Sequence, residues 1–222
     1  MCFSPEASFA AAGLTGLVGC VCVARTTRWR ELPLALTPLL FGIQQSIEGG
    51  LWLTLRTAPT GPSATTLTLV YLLFAKVFWP AYAPFAACVI EPAARRRNLM
   101  LILVALGLAV AGYVLPQVLA GPRAAEIARG CIVYHAAQDH ADLLDVAYLL
   151  AVSLPLLLSS YRAIVILGVI VVAGCLAAYA LYAWAALSVW CFFAAAASIT
   201  LLAHFEAARR RATAGATLAT AK

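Results

Sequence analysis

The chain is short of charge. Asp, Glu, Lys and Arg make up 11% of its 222 residues against 64% hydrophobic residues, and the mean hydropathy is +0.94. A soluble protein of this length has no core large enough to hide so much apolar surface. A bilayer can take it up, at roughly 20 helical residues per crossing. A continuous basic surface is missing too. The net charge of +6 sits in short arginine clusters between apolar runs, a pattern of membrane topology that leaves nucleic acid out as a partner. The partner that composition demands is the lipid bilayer.

Further absences narrow the chemistry. The seven cysteines contain no CxxC pair, and there is no CxxCH, GxSxG, Walker loop or paired ExxH element. The last apolar run has no lysine for a retinal Schiff base. No Lys or Arg precedes the first apolar run, and the first strong positive charges, Arg25 and Arg28, follow it. A secretory signal has the opposite order, so "LVGC" at 17–20 is read as part of an uncleaved first helix and not as a lipoprotein cleavage box.

What is present is a series of seven apolar runs, roughly 5–24, 33–55, 65–90, 98–120, 143–161, 163–184 and 186–207. They predict an all-α polytopic membrane protein, a seven-transmembrane-helix bundle over 1–207 with a basic, disordered tail over 208–222; six or eight crossings are the alternatives, and seven explains the charges best. Arg25/Arg28/Arg30, Arg95/Arg96/Arg97, Arg162, and Arg209/Arg210/Arg211 with Lys222 place eleven cations on one side. Arg56, Arg123 and Arg129 are the three on the other, and Lys76 falls inside a run. The positive-inside rule then puts the N-terminus outside and the C-terminus in the cytoplasm.

The second run holds "FGIQQSIEGGLW" at 41–52. At about 100° per residue, Gln44, Gln45, Glu48 and Trp52 share one helix face. Gly42, Ser46 and Gly50 form a small-xxx-small stripe on another, suited to close helix approach. A carboxylate here costs about 2.5–3.5 kcal/mol on insertion scales unless protonated, paired or wetted. Glu48 is expected about 10 Å from the outer end of its span, and Lys76 in the next span about 16 Å from it. Glu48–Lys76 is therefore the expected ion pair, with the glutamines completing its hydrogen bonds. In "KVFWPAYAP", Pro80 lacks the N–H that would bond the carbonyl of Lys76, and Pro84 does the same to Pro80. A kinked helix that bares backbone acceptors beside a charge is a common way to build a transport site. Trp79 and Trp190 complete the expected pocket.

A second set of groups maps to the outer side. Cys131, His135 and Asp139 recur at i, i+4 and i+8, which would line one side of a short helix; with Cys2, Glu6 and Cys191 they are the candidate metal ligands. Without a metal signature, a short amphipathic helix at the interface accounts for them equally. Cys2, Cys131 and Cys191 share a compartment that permits a disulfide. Asp145, Tyr148, Tyr179, Tyr182 and Ser188 add hydroxyls and a carboxylate at the same level.

"MCFSPEASFAAA", "LPLALTPLLFGIQQSIEGGLW", "FWPAYAPFAACVIEP" and "SVWCFFAAAAS" together resemble an uncharacterised family of bacterial integral membrane proteins. Its members open with Met-Cys-Phe-Ser and carry Gln-Gln-x-x-Glu-Gly in the second span. The likeness runs from residue 1 to about 205. It implies a multi-pass protein of the bacterial cytoplasmic (inner) membrane and matched positions at Cys2, Ser4, Gln44, Gln45, Glu48, Trp52, Trp79, Pro80, Pro84, Glu91, Ser188, Trp190 and Cys191. It supplies no activity, catalytic residue or cofactor, and the loop histidines lie outside it. The expected function is the handling of a small solute or ion through the Glu48/Lys76 pocket. A membrane-embedded metal site or enzyme, and a sensor or assembly subunit using the small-residue stripe, stay open as alternatives, as does a homo-oligomer.

Overall fold

The computed structural model describes residues 4–121, 123–135 and 141–220, leaving aside the side chains of 141, 142 and 211–220. Its helices are α1 (Pro5–Ala24), α2 (Leu32–Thr57), α3 (Pro62–Leu72), α4 (Trp79–Ile90), α5 (Ala94–Ala120), α6 (Ala141–Leu157), α7 (Arg162–Tyr182), α8 (Ala186–Ser198) and α9 (Thr200–Thr220). Among the described residues, four helical stretches are long and apolar enough to cross a membrane: Pro5–Ala24, Pro62–Ile90, Ala94–Ala120 and Arg162–Arg210. The seven expected runs differ from these four for physical reasons. The second is diluted by Gln44, Gln45, Glu48 and its prolines, the fifth gives a shorter apolar helix over Leu143–Leu157, and the last two join through a 3-10 turn at Ala183–Ala185. At that turn the chain doubles back. Trp190 donates to the Val171 carbonyl at 3.0 Å, Gly174 lies against Phe193, and His204 meets Tyr161 edge-on, so α8 and α9 run antiparallel to α7.

Small residues set the tightest contacts. On Gly42, an added Cβ would lie 2.9 Å from the Gly16 nitrogen, and on Gly49, 2.9 Å from the Phe9 ring. The small-residue stripe on α2 is thus used in part to seat α1. Ser46, by contrast, is exposed.

The third apolar run is a helix broken in register. Between α3 and α4 the chain winds as a π-helix over Leu73–Phe78, in which the Trp79 N–H bonds the Phe74 carbonyl. The next bond in that register would run from residue 80 to the Ala75 carbonyl, but residue 80 is proline and has no N–H. The Tyr148 hydroxyl fills the gap, 2.6 Å from the Ala75 oxygen. The carbonyl released by Pro80 is therefore met one residue earlier than the α-helical spacing predicts. Pro84 in turn deprives the Pro80 carbonyl, and α5 passes so close there that a Cβ on Gly107 would overlap that oxygen.

Where a short helix was expected to begin at Cys131, the described stretch Cys131–His135 is a strand of a β-hairpin instead. Strands β1 (Ala124–Ala128) and β2 (Cys131–His135) pair antiparallel, Ala124 opposite His135 and Ala128 opposite Cys131. Arg129 and Gly130, with φ of 50° and 74°, make the two-residue turn, the backbone such a hairpin needs. The hairpin packs down on the helix ends: Ala125 and Ile132 join Leu51, Trp52 and Leu55 of α2 and Ala64 of α3 in one apolar cluster. At the opposite end, the arginine end, Arg25 pairs with Glu206 at 3.1 Å. Helix α9 extends to Thr220, into the stretch 208–222 expected as a disordered tail.

Candidate functional site

The polar face predicted on α2 turns inward, with Gln44, Gln45 and Glu48 all fully buried. Gln44 bridges two helices. Its Oε1 accepts from the Trp79 indole N–H at 2.6 Å, and its Nε2 donates to Cys191 Sγ at 3.3 Å. Trp79 is held for this by stacking on Phe41, centroids 4.0 Å apart. Neither polar atom of the Gln45 amide has a hydrogen-bond partner among the described residues.

Glu48 Oε1 accepts from Ser188 Oγ at 2.7 Å and from the Tyr134 hydroxyl at 3.1 Å. One donor comes from α8 and the other from the hairpin. Tyr134 stacks flat on Tyr71, centroids 4.4 Å apart and planes 1° apart. Burial, and after it the nearby Glu48 carboxylate, hold the Tyr134 phenol well above the usual tyrosine range. It therefore stays a hydroxyl donor throughout neutral and mildly alkaline pH.

Lys76 comes next to a different carboxylate from the one predicted. It shares a cavity of about 320 Å³ with Asp145, Tyr179 and Trp184, whose wall also includes Tyr134 and Ser188, the two donors to Glu48. Asp145 lies on the same wall as Lys76, and the Tyr179 hydroxyl donates to Asp145 Oδ2 at 3.0 Å. Glu48 thus stands one hydroxyl layer behind a cavity whose own charges are Lys76 and Asp145. Arg129 reaches the mouth, 5.0 Å from the Trp184 ring.

The other predicted pocket residues divide. Pro80 is buried at the start of α4. Trp190 and Trp79 line a smaller apolar cavity of about 60 Å³ at the centre of the bundle, with Phe41 and Tyr148. Trp52 lies beneath the hairpin, with Arg56 5.6 Å from its ring.

The candidate metal ligands are not brought together. Cys2 and Asp139 fall outside the described residues. Glu6 is exposed in the first turn of α1. Cys131 is disulfide-bonded, whereas Cys191 is a free thiol against Gln44. His135 makes an exposed ion pair with Glu126 at 3.2 Å. Among the described residues no three His, Cys, Asp or Glu side chains gather as a metal would need. In a strand, residues 131 and 135 still share one face, but at a rise of roughly 3.3 Å per residue they stand about 13 Å apart, too far to ligate one metal.

Sequence reasoning missed Tyr134 and Tyr71, and the cavity that Lys76 lines together with Asp145. A signal for Tyr134 was present: Ile132 and Tyr134 alternate with Val133 and His135 after an Arg-Gly turn, which is strand patterning.

No curated protein and no solved structure matches the chain. A family model does, over residues 1–217, in keeping with the resemblance to an uncharacterised family. The chain belongs to DUF6629, a family of unknown function.

Proposed function

We propose that the chain crosses a bacterial inner membrane seven times, N-terminus outside, and handles a small solute or ion through the cavity beneath the hairpin. Seven crossings are supported by the length of α2, about 39 Å at 1.5 Å per residue for its 26 residues, and by the antiparallel return of α8 and α9 along α7. The arginine distribution supports the orientation.

One observation carries the functional reading. A fully buried carboxylate, Glu48, is held by two side-chain hydroxyls, and both hydroxyls also line a cavity containing Lys76 and Asp145. Ionisable groups at such depth mark solute, ion or proton pathways. A carboxylate whose donors are hydroxyls on separate elements can change partner as a ligand enters. The π-helix and the Pro80/Pro84 breaks lie beside it and supply the element able to move.

The test uses proteoliposomes of the full chain. Proton movement is read with trapped pyranine, and swelling is followed in glycerol, glycine and betaine. The reading expects a flux above empty vesicles for at least one probe, and its loss in Glu48→Gln. Vesicles that behave as empty ones with every probe, or a Glu48→Gln variant with undiminished flux, would overturn it.

A further inference from the structure

The polar cavity does not end at its charged groups. Lys76, Asp145, Tyr179 and Leu187 also line a second cavity, of about 230 Å³. Past those four its wall is almost wholly apolar, with Val110 and Val114 from α5, Leu149 from α6, Leu176 from α7 and Trp190 from α8. Its rim carries Val146 and Leu176, 56% and 62% exposed on the outward faces of α6 and α7. The rim of the polar cavity carries Tyr179 and Trp184, also exposed, at the hairpin end. Lys76, Asp145 and Tyr179 are thus common to the wall of a polar chamber near the hairpin and that of an apolar chamber beside the membrane-facing surface.

We infer that the joined chambers bind a single-chain amphiphile with a neutral or zwitterionic head, the head in the polar chamber and the chain in the apolar one. This rests on the pocket reading above and adds the class of ligand. Three features carry it. The first is the pairing itself, since a compact polar solute has no use for an apolar chamber sharing that wall. The second is size. The apolar chamber, at about 230 Å³, is the smaller of the two, against about 320 Å³ for the polar one, room suited to a short chain. The third is charge. Lys76 and Asp145 put one group of each sign on the wall that the two cavities share, which suits a head carrying both charges. A head with hydroxyls or both charges meets the Tyr179, Tyr134 and Ser188 hydroxyls as well as both ionised groups. Entry past Val146 and Leu176 keeps the chain out of water throughout.

The experiment uses the full chain in lipid nanodiscs, where no detergent competes, and an eight-carbon lysophosphatidylcholine with a diazirine at the chain end. After irradiation, adducts are mapped by mass spectrometry. The inference expects them on the chamber wall, around Val110, Leu149 and Leu176. Unlabelled eight-carbon lysophosphatidylcholine should displace them, and glycerophosphocholine, the same head without a chain, should not. Val110→Trp, which fills the chamber, should cut labelling at least tenfold. Leu176→Trp, on the exposed rim where folding is not at stake, should do the same. Adducts spread over the outward residues Leu101 and Ile102 and indifferent to both variants would overturn the inference, because they report bulk lipid contact. Displacement by glycerophosphocholine as strong as by the chained compound would also overturn it while leaving the solute pocket standing. Failure of the pocket reading is registered separately, by the vesicle fluxes and Glu48→Gln.

Discussion

Two buried carboxylates sit near opposite ends of this bundle, and they are held in different ways. Glu91, 1% exposed at the arginine end, accepts from the backbone N–H groups of Ala93 at 3.1 Å and Ser160 at 2.8 Å, and from the hydroxyls of Ser159 and Ser160. Arg96 donates to the carbonyls of Leu158 and Ser159, and Arg97 to the carbonyl of Glu91 itself. Both carboxylate oxygens are thereby tied to backbone, locking the α4–α5 turn onto the α6–α7 turn. Glu48, at the hairpin end, takes the hydroxyls of Ser188 and Tyr134. Those donors swing on single bonds from two elements that also line a cavity. A carboxylate held by backbone N–H groups is a rivet, since moving it would unmake two turns. One that takes hydroxyls from two separate elements can exchange those partners at modest cost, which is why we propose Glu48, and not Glu91, as the working acid.

The contrast can be broken by substitution. The largest effect is expected at Glu91→Ala, which removes a buried carboxylate and with it the acceptor of two backbone N–H groups and two hydroxyls; about 3 kcal/mol of stability should go, read as a drop in melting temperature. Gln44→Leu should cost about 2 kcal/mol, because it leaves the buried Trp79 indole N–H without its acceptor. If Gln44→Leu melts like wild type, the hairpin-end polar set is not built as described. Tyr148→Phe removes the hydroxyl on the Ala75 carbonyl and should cost about 1 kcal/mol. Its effect should disappear in a Pro80→Ala background, where residue 80 regains an N–H for that carbonyl. Smallest of all, His135→Ala should change stability by less than about 0.5 kcal/mol, as its ion pair with Glu126 is exposed, and zinc should leave both proteins' melting unchanged.

Much of the helical framework was legible because hydropathy reports directly on the membrane's demands. The edges of the first five apolar runs fall within a few residues of helix ends, although the seven-span count belongs to the proposal. The inward face of α2 was legible for a related reason: three polar residues on one side of an apolar helix have nowhere else to go. The hairpin was not. Cys131, His135 and Asp139 are spaced for a helix, and a four-residue recurrence outweighed the shorter alternation of Ile132 and Tyr134. The Glu48–Lys76 pairing was argued from matching depth alone, and depth does not fix rotation about the helix axis. The π-helix before Pro80 adds to that rotation, and Lys76 turns to the side where Asp145 of α6 lies. Gly107 shows the same limit, for its role depends on which carbonyl Pro84 leaves bare on a neighbouring helix.

The most direct test sets Glu48→Gln beside Glu91→Gln, with melting temperature and proteoliposome flux measured on each. Glutamine at 48 keeps an oxygen for Ser188 and Tyr134, so Glu48→Gln should melt within a few degrees of wild type and lose flux. Glu91→Gln should melt well below wild type, with flux per folded molecule retained. A Glu48→Gln protein as unstable as Glu91→Gln, or one that is stable with full flux, would contradict the assignment of Glu48 as the working acid.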